Sequence, residues 1–289
     1  DLGYSQKGLG INTSFRRLEN FNLYSDKLAE GNIYNQKTIS FTPALTKQQD
    51  YLLTNIYVYN SQPRLVIGDI EKRVGEVGFQ NDIYYSFKNE SFLGEYKTKL
   101  AINFSYWGSI GAKFNSDLSY GVDFIGKGNR YYKDVNIEIK NKWSKKISST
   151  ITFLDLSIDK GISLGGPLGV QGNIDARVGV IELNARDKKE RNNRFVIQHL
   201  WTKQDRKEWV GFVYEIGLSN NINFFISDIW NYGNENDLHY YNLGGSYSKG
   251  SARLSVNYGR QRGGLICVGG VCRFVPESNG YNLNLSYSF

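Results

Sequence analysis

The sequence predicts an all-β fold, an antiparallel transmembrane β-barrel, on three observations. Apolar and polar residues alternate with period two almost from end to end. The alternating segments run for roughly 10–13 residues, a tilted membrane crossing, whereas soluble strands centre on about 5–6. The longest connections between segments fall on one parity, as outer loops do against short periplasmic turns.

Taken in order, the segments are 8–18, 37–44, 75–87, 97–108, 131–143, 148–158, 174–186, 193–202, 209–219, 222–232, 238–248, 252–262 and 281–289. That is about 13 strands, or 14 if Tyr51–Tyr59 (YLLTNIYVY) hides another. Glu76–Phe87 sets Val77, Phe79, Ile83, Tyr85 and Phe87 against Glu76, Gly78, Gln80, Asp82 and Ser86. Lys133–Trp143 sets Val135, Ile137, Ile139 and Trp143 against Asp134, Asn136, Glu138, Lys140 and Lys142. Val210–Leu218 and Arg253–Gly259 follow the same rule. The closing segment YNLNLSYSF separates Tyr281, Leu283, Leu285, Tyr287 and Phe289 from Asn282, Asn284, Ser286 and Ser288. The best helix candidate is short, Thr46–Asn55. A soluble sandwich also gives alternation, but so many long strands would make it unusually large.

With the C-terminus taken as periplasmic, Gly263–Gly280, Asp159–Asn173, Gly108–Arg130 and Leu45–Val74 are outer connections. Ser248–Ser251, Leu218–Asn221, Asp187–Asn193, Ser144–Lys146 and the stretch near Lys88–Tyr96 are inner turns. Thirteen strands make the first one enter from outside, whereas bacterial single-chain barrels have an even strand number. The expectation is therefore a further strand in Tyr51–Tyr59 or, as the lack of Met favours, strands upstream of Asp1. The chain reads as one domain, 1–289, the C-terminal part of a larger barrel.

Composition narrows the function classes. Mean hydropathy is −0.45 and no apolar run approaches the roughly 18 residues of a membrane helix. The net charge of +7 is spread among 28 acidic residues, which argues against nucleic acid as a partner. Cys267 and Cys272, with no other thiol, fit one local disulfide in an oxidising compartment. A metal site is the rival reading, although two thiolates without a nearby His fall short of four ligands. Gly269 and Gly270 between them suit a tight hairpin turn. LGGPLGVQG (Leu164–Gly172) lacks the GK[ST] of a phosphate loop and reads as an outer loop.

The segment Arg260–Phe289, with its CVGGVCR loop and terminal Phe, resembles the C-terminal end of an uncharacterised outer-membrane β-barrel family of Bacteroidota, a domain of unknown function. Gly8–Lys27, Gln198–Trp209 and the stretch LHYYNLGGSYSKGSARLSVNYG are similar as well. The resemblance implies an exported precursor inserted by the barrel-assembly machinery, which reads a terminal aromatic strand, here Tyr287 and Phe289. It implies no chemistry. Gln62–Arg73 departs from the family pattern as an outer-loop insertion.

On a barrel, the polar positions Arg16, Glu76, Asp82, Asp134, Glu138, Lys140, Glu215, Arg253 and Arg260 line a lumen, either as a salt-bridge filling or as a wet pore. The apolar Leu265, Ile266, Val268, Val271 and Phe274 form a surface-loop contact patch. His199 and His239 read as interfacial aromatics, with Asp205 and Asp237 in adjacent outer loops keeping a hydrolase as a remote alternative. The expected role is a structural or accessory subunit of an outer-membrane complex in a Gram-negative bacterium. A porin-like channel for small polar solutes is the alternative. Expected partners are outer-membrane lipids with lipopolysaccharide, the assembly machinery, and other outer-membrane proteins or lipoproteins. No cofactor, metal or catalytic residue is expected.

Overall fold

The computed structural model describes residues 1–20, 47, 49–59, 74–88, 96–117, 119–125, 128–164, 170–235, 237–268 and 271–288; for 163–164, 265–268 and 271–274 it describes the backbone alone. The strands are β1 (Leu2–Gln6), β2 (Leu9–Glu19), β3 (Gly75–Ser86), β4 (Thr98–Ser109), β5 (Lys113–Phe114), β6 (Tyr120–Gly121), β7 (Arg130–Lys142), β8 (Ile147–Asp159) and β9 (Asn173–Arg186). They continue as β10 (Asn192–Trp201), β11 (Trp209–Gly217), β12 (Ile222–Asn231), β13 (Leu238–Lys249), β14 (Ala252–Gln261), β15 (Gly264–Val268), β16 (Val271–Val275) and β17 (Ser278–Tyr287).

Thirteen of them form one sheet in the order β1-β2-β3-β4-β7-β8-β9-β10-β11-β12-β13-β14-β17, while β5-β6 and β15-β16 are separate hairpins. Every neighbouring pair in the large sheet is antiparallel, so the chain meanders up and down without a crossover. At one end lie the connections 20–74, 110–129, 160–172 and 262–277, the longest in the chain. The other end carries turns such as 7–8, 143–146 and 250–251. Lys7 and Gly8 both have positive φ, the conformation a two-residue hairpin turn needs.

The described strands form an open all-β sheet. Among the described residues no ladder joins β17 to β1, and the two edges run in the same direction because they are the first and thirteenth members of a strictly antiparallel order. Direct antiparallel pairing between them is therefore geometrically excluded. The alternative strand in Tyr51–Tyr59 does not form, and the described part of the Thr46–Asn55 helix candidate holds one 3-10 turn, Leu53–Asn55. β1 was not anticipated, and it supplies the thirteenth strand; β2 pairs directly with β3, and the expected segment 37–44 lies outside the described residues.

Alternation sorts the faces as expected, with the apolar one outward. On β7, Val135, Ile137 and Ile139 are exposed while Asp134 and Asn136 are buried. Ile181, Ile197, Phe212, Ile226, Leu243, Val256 and Leu283 extend this exposed apolar band across the sheet. The core instead sits on the opposite face at the long-loop end, where Leu154, Leu156, Ile158, Ile174, Val178 and Leu200 are buried. β8 thus changes character along its length. Ile151 and Phe153 face outward, and beyond them Asp155 and Ser157 do, with Asp155 paired to Arg177 at 2.9 Å.

Close backbone approach is locked at Gly78, where the Trp107 ring lies flat over the strand. A Cβ there would sit 2.4 Å from Trp107 Cδ2 and 2.5 Å from the Tyr106 carbonyl oxygen. Gly78→Ala is expected to destabilise the protein by about 1–3 kcal/mol through overpacking, read as a lower urea midpoint with unchanged slope.

Candidate functional site

The face opposite the apolar band is filled by the chain itself. Residues 49–59, from the connection between β2 and β3, lie against strands from β3 to β11. Gln49 Nε2 donates to Asn136 Oδ1 at 3.2 Å, the Leu53 amide to Gln198 Oε1 at 2.9 Å, and the Tyr59 hydroxyl to Glu76 Oε2 at 2.5 Å. Tyr59 stacks on Tyr132 with ring centroids 5.5 Å apart and tilts against Trp107 at 5.8 Å. Leu53 packs over Gly211, whose missing side chain leaves it room. Strands stand about 4.8 Å apart, and residues 50–55 also border a cavity whose far wall is β13, β14 and β17, so the sheet curls around the segment. The face is therefore concave, and 49–59 is its plug.

Two outer contacts hold the plug at the long-loop end. Arg262 Nη2 donates to the Asn55 carbonyl at 3.0 Å, and the Tyr57 hydroxyl donates to Asp205 Oδ2 at 3.1 Å. Burial, reinforced by Asp205 beside it, pushes the Tyr57 hydroxyl well above its ordinary range, so it stays a donor at any physiological pH.

Most of the expected lumen positions lie on this concave face. Arg16 places its guanidinium 5.1 Å over the Trp107 ring, and Glu76 is fully buried under Tyr59. Asp82 accepts hydrogen bonds from Gln80 at 3.0 Å and from Asn103, and Asp134 accepts one from Ser105. Glu138 pairs with Lys140 at 3.1 Å. Glu215 and Glu182 grip Arg194 from two sides, at 3.1 and 2.9 Å. Arg253 stands at the short-turn mouth. Arg260 shares the parity of Tyr258 and Val256, yet its guanidinium lies 5.1 Å over the ring of the core residue Tyr240 and pairs with Glu277 at 2.6 Å.

The histidines lie outward in a band of aromatics at the long-loop end. His199 contacts Trp201 and lies 2.7 Å from the Tyr232 hydroxyl; His239 stacks on Trp230 and meets Asp228 Oδ2 at 2.6 Å. Tyr241, Tyr258 and Tyr281 continue the band. Asp205 and Asp237, the carboxylates weighed for a hydrolase, instead accept from Tyr57 and Trp230.

β15 and β16 form the expected hairpin, with Cys267 opposite Cys272 and Leu265 opposite Phe274. The side chains of Cys267, Cys272, Leu265, Ile266, Val268, Val271 and Phe274 lie outside the described ones, as do Phe289, Gln62–Arg73 and most of Leu164–Gly172. Tyr287 is exposed on the apolar face of β17. The plug residues Gln49, Leu53, Tyr57 and Tyr59 were missed as site residues. Their signal was present: YLLTNIYVY is apolar on both parities, unlike the strands around it.

A large antiparallel meander with a self-filled polar concave face and an apolar convex face defines the class of this protein. The chain belongs to the family of unknown function DUF6029, whose model matches residues 1–289. No curated protein matches it.

Proposed function

We propose that the chain is a membrane β-barrel of the outer membrane of a Gram-negative bacterium, of the Bacteroidota as the resemblance of Arg260–Phe289 implies. It serves there as a structural or accessory subunit of an outer-membrane protein complex. The observation that carries this reading is the inverted polarity of the sheet: large apolar side chains outward, hydrogen-bonded polar ones inward. Water gives no reason to expose such a continuous apolar band, whereas lipid does. The aromatics at the long-loop end match an interfacial girdle, with lipids and lipopolysaccharide as surroundings. Because β1 and β17 run the same way, an odd number of further strands completes an antiparallel barrel. Tyr287 and Phe289 act as the signal for the barrel-assembly machinery, and a Cys267–Cys272 disulfide staples the β15-β16 hairpin, whose apolar residues contact neighbouring outer-membrane proteins or lipoproteins.

The plug favours a subunit over a porin-like channel. Pure protein in planar bilayers is expected to give no step conductance; regular single-channel steps would instead establish the channel reading.

A further inference from the structure

Below the plug, at the short-turn end of the concave face, lies a cavity of about 1030 Å³. Six cationic side chains line it: Lys142, Lys145, Lys146, Arg186, Arg194 and Arg253. Part of this charge is answered locally. Arg194 is gripped by Glu182 and Glu215, and Lys146 pairs with Glu190. Arg186 donates to the Asn192 amide oxygen at 3.0 Å and shares the field of Glu190 with Lys146. Lys142, Lys145 and Arg253 have no ion-pair partner among the described residues.

A second observation points the same way. Lys99 and Lys140 stand directly opposite each other on β4 and β7, on the same face near the same end. Like charges in that position destabilise a sheet, and Glu138 relieves only Lys140. The protein thus concentrates positive charge in a walled hollow, where the field on an anion is strongest.

We propose that this vestibule binds a carboxylate-rich peptide segment. The spacing of the cations selects an extended ligand: Lys142 and Lys145 belong to β7 and the turn after it, while Arg253 belongs to β14, with six strands between them in the sheet. One phosphate group cannot reach both walls, but acidic side chains spaced at about 3.3 Å per residue along an extended peptide can. The double grip of two carboxylates on Arg194 is the pairing such a peptide reproduces with the unanswered cations. The proposal stands apart from the membrane reading, because it uses only the concave face.

The test is fluorescence anisotropy of a labelled oligoglutamate peptide titrated with the full chain in detergent micelles. Saturable binding is expected, weakened at least about tenfold in the combined variant Lys142→Gln, Lys145→Gln, Arg253→Gln, and weakened likewise by raising the salt from low to molar strength. Removing three cations from the opposite end, Lys113→Gln, Lys203→Gln and Lys207→Gln, is expected to change nothing. Unchanged emission from the buried Trp209 certifies that each variant is folded. Equal losses in the two triple variants, no loss in the first, or displacement of the peptide by inorganic phosphate at equal concentration would overturn the proposal.

Discussion

Replacing Ile197 with lysine is expected to destabilise the protein in bilayers by about 2–4 kcal/mol, the cost of a Lys at the midplane of a lipid-facing strand. Ile197 lies mid-strand on β10 and is 59% exposed, flanked outward by Phe195 and His199. If the convex face met water, the same change would fall within about ±0.5 kcal/mol, as exposed substitutions do. Trp201→Lys, in the aromatic band of the same strand, should cost only about 0–1 kcal/mol because the penalty falls off towards the interface. Urea unfolding of the variants reconstituted in lipid vesicles reads the difference. A flat profile from Ile197 to Trp201 would remove the membrane reading and leave the fold untouched.

Truncating Leu53 to alanine is expected to cost about 2–5 kcal/mol, and to shift the emission of Trp107 and Trp209 to the red as water enters. Leu53 opens the Leu53–Asn55 turn and is fully buried against Gly211, and its amide is held by Gln198. Leu52, next in the chain but 38% exposed, is the control: its alanine variant should stay within about 0.5 kcal/mol. Equal effects at the two positions would mean that 49–59 does not act as a plug.

The strand frame was legible in detail. Segment 131–143 corresponds to Arg130–Lys142, and 238–248 to Leu238–Lys249, because turn residues bound an alternation that the pleat repeats every second residue. That Glu76, Asp82, Asp134 and Glu138 share the face of their strands' polar residues followed from the same rule. β1 was not legible, since LGYSQ is too short for alternation to stand out. The plug was weighed only as a further strand or a short helix, because an apolar run carries no polar face from which to infer what it packs against. The pairing of Arg260 with Glu277 escaped as well, since a contact across a loop leaves no trace in strand periodicity.

By itself the sequence determined that this chain is a long antiparallel meander with opposite faces of opposite polarity, because period two forces successive side chains to opposite sides. Alternation is silent on which face turns inward. Only the tertiary structure decided that, by folding 49–59 into the hollow: there the Gln49 side-chain amide, the Leu53 backbone amide and the Tyr59 hydroxyl meet Asn136, Gln198 and Glu76, and Tyr59 and Leu53 pack on Trp107 and Gly211. It also decided that β8 spends half its length in each environment. Its ladders to β7 and β9 run on without a slip while the apolar parity changes from Phe153 to Leu154. The backbone pairing is indifferent to polarity, and what covers each half of the strand sets which side chains it can hold.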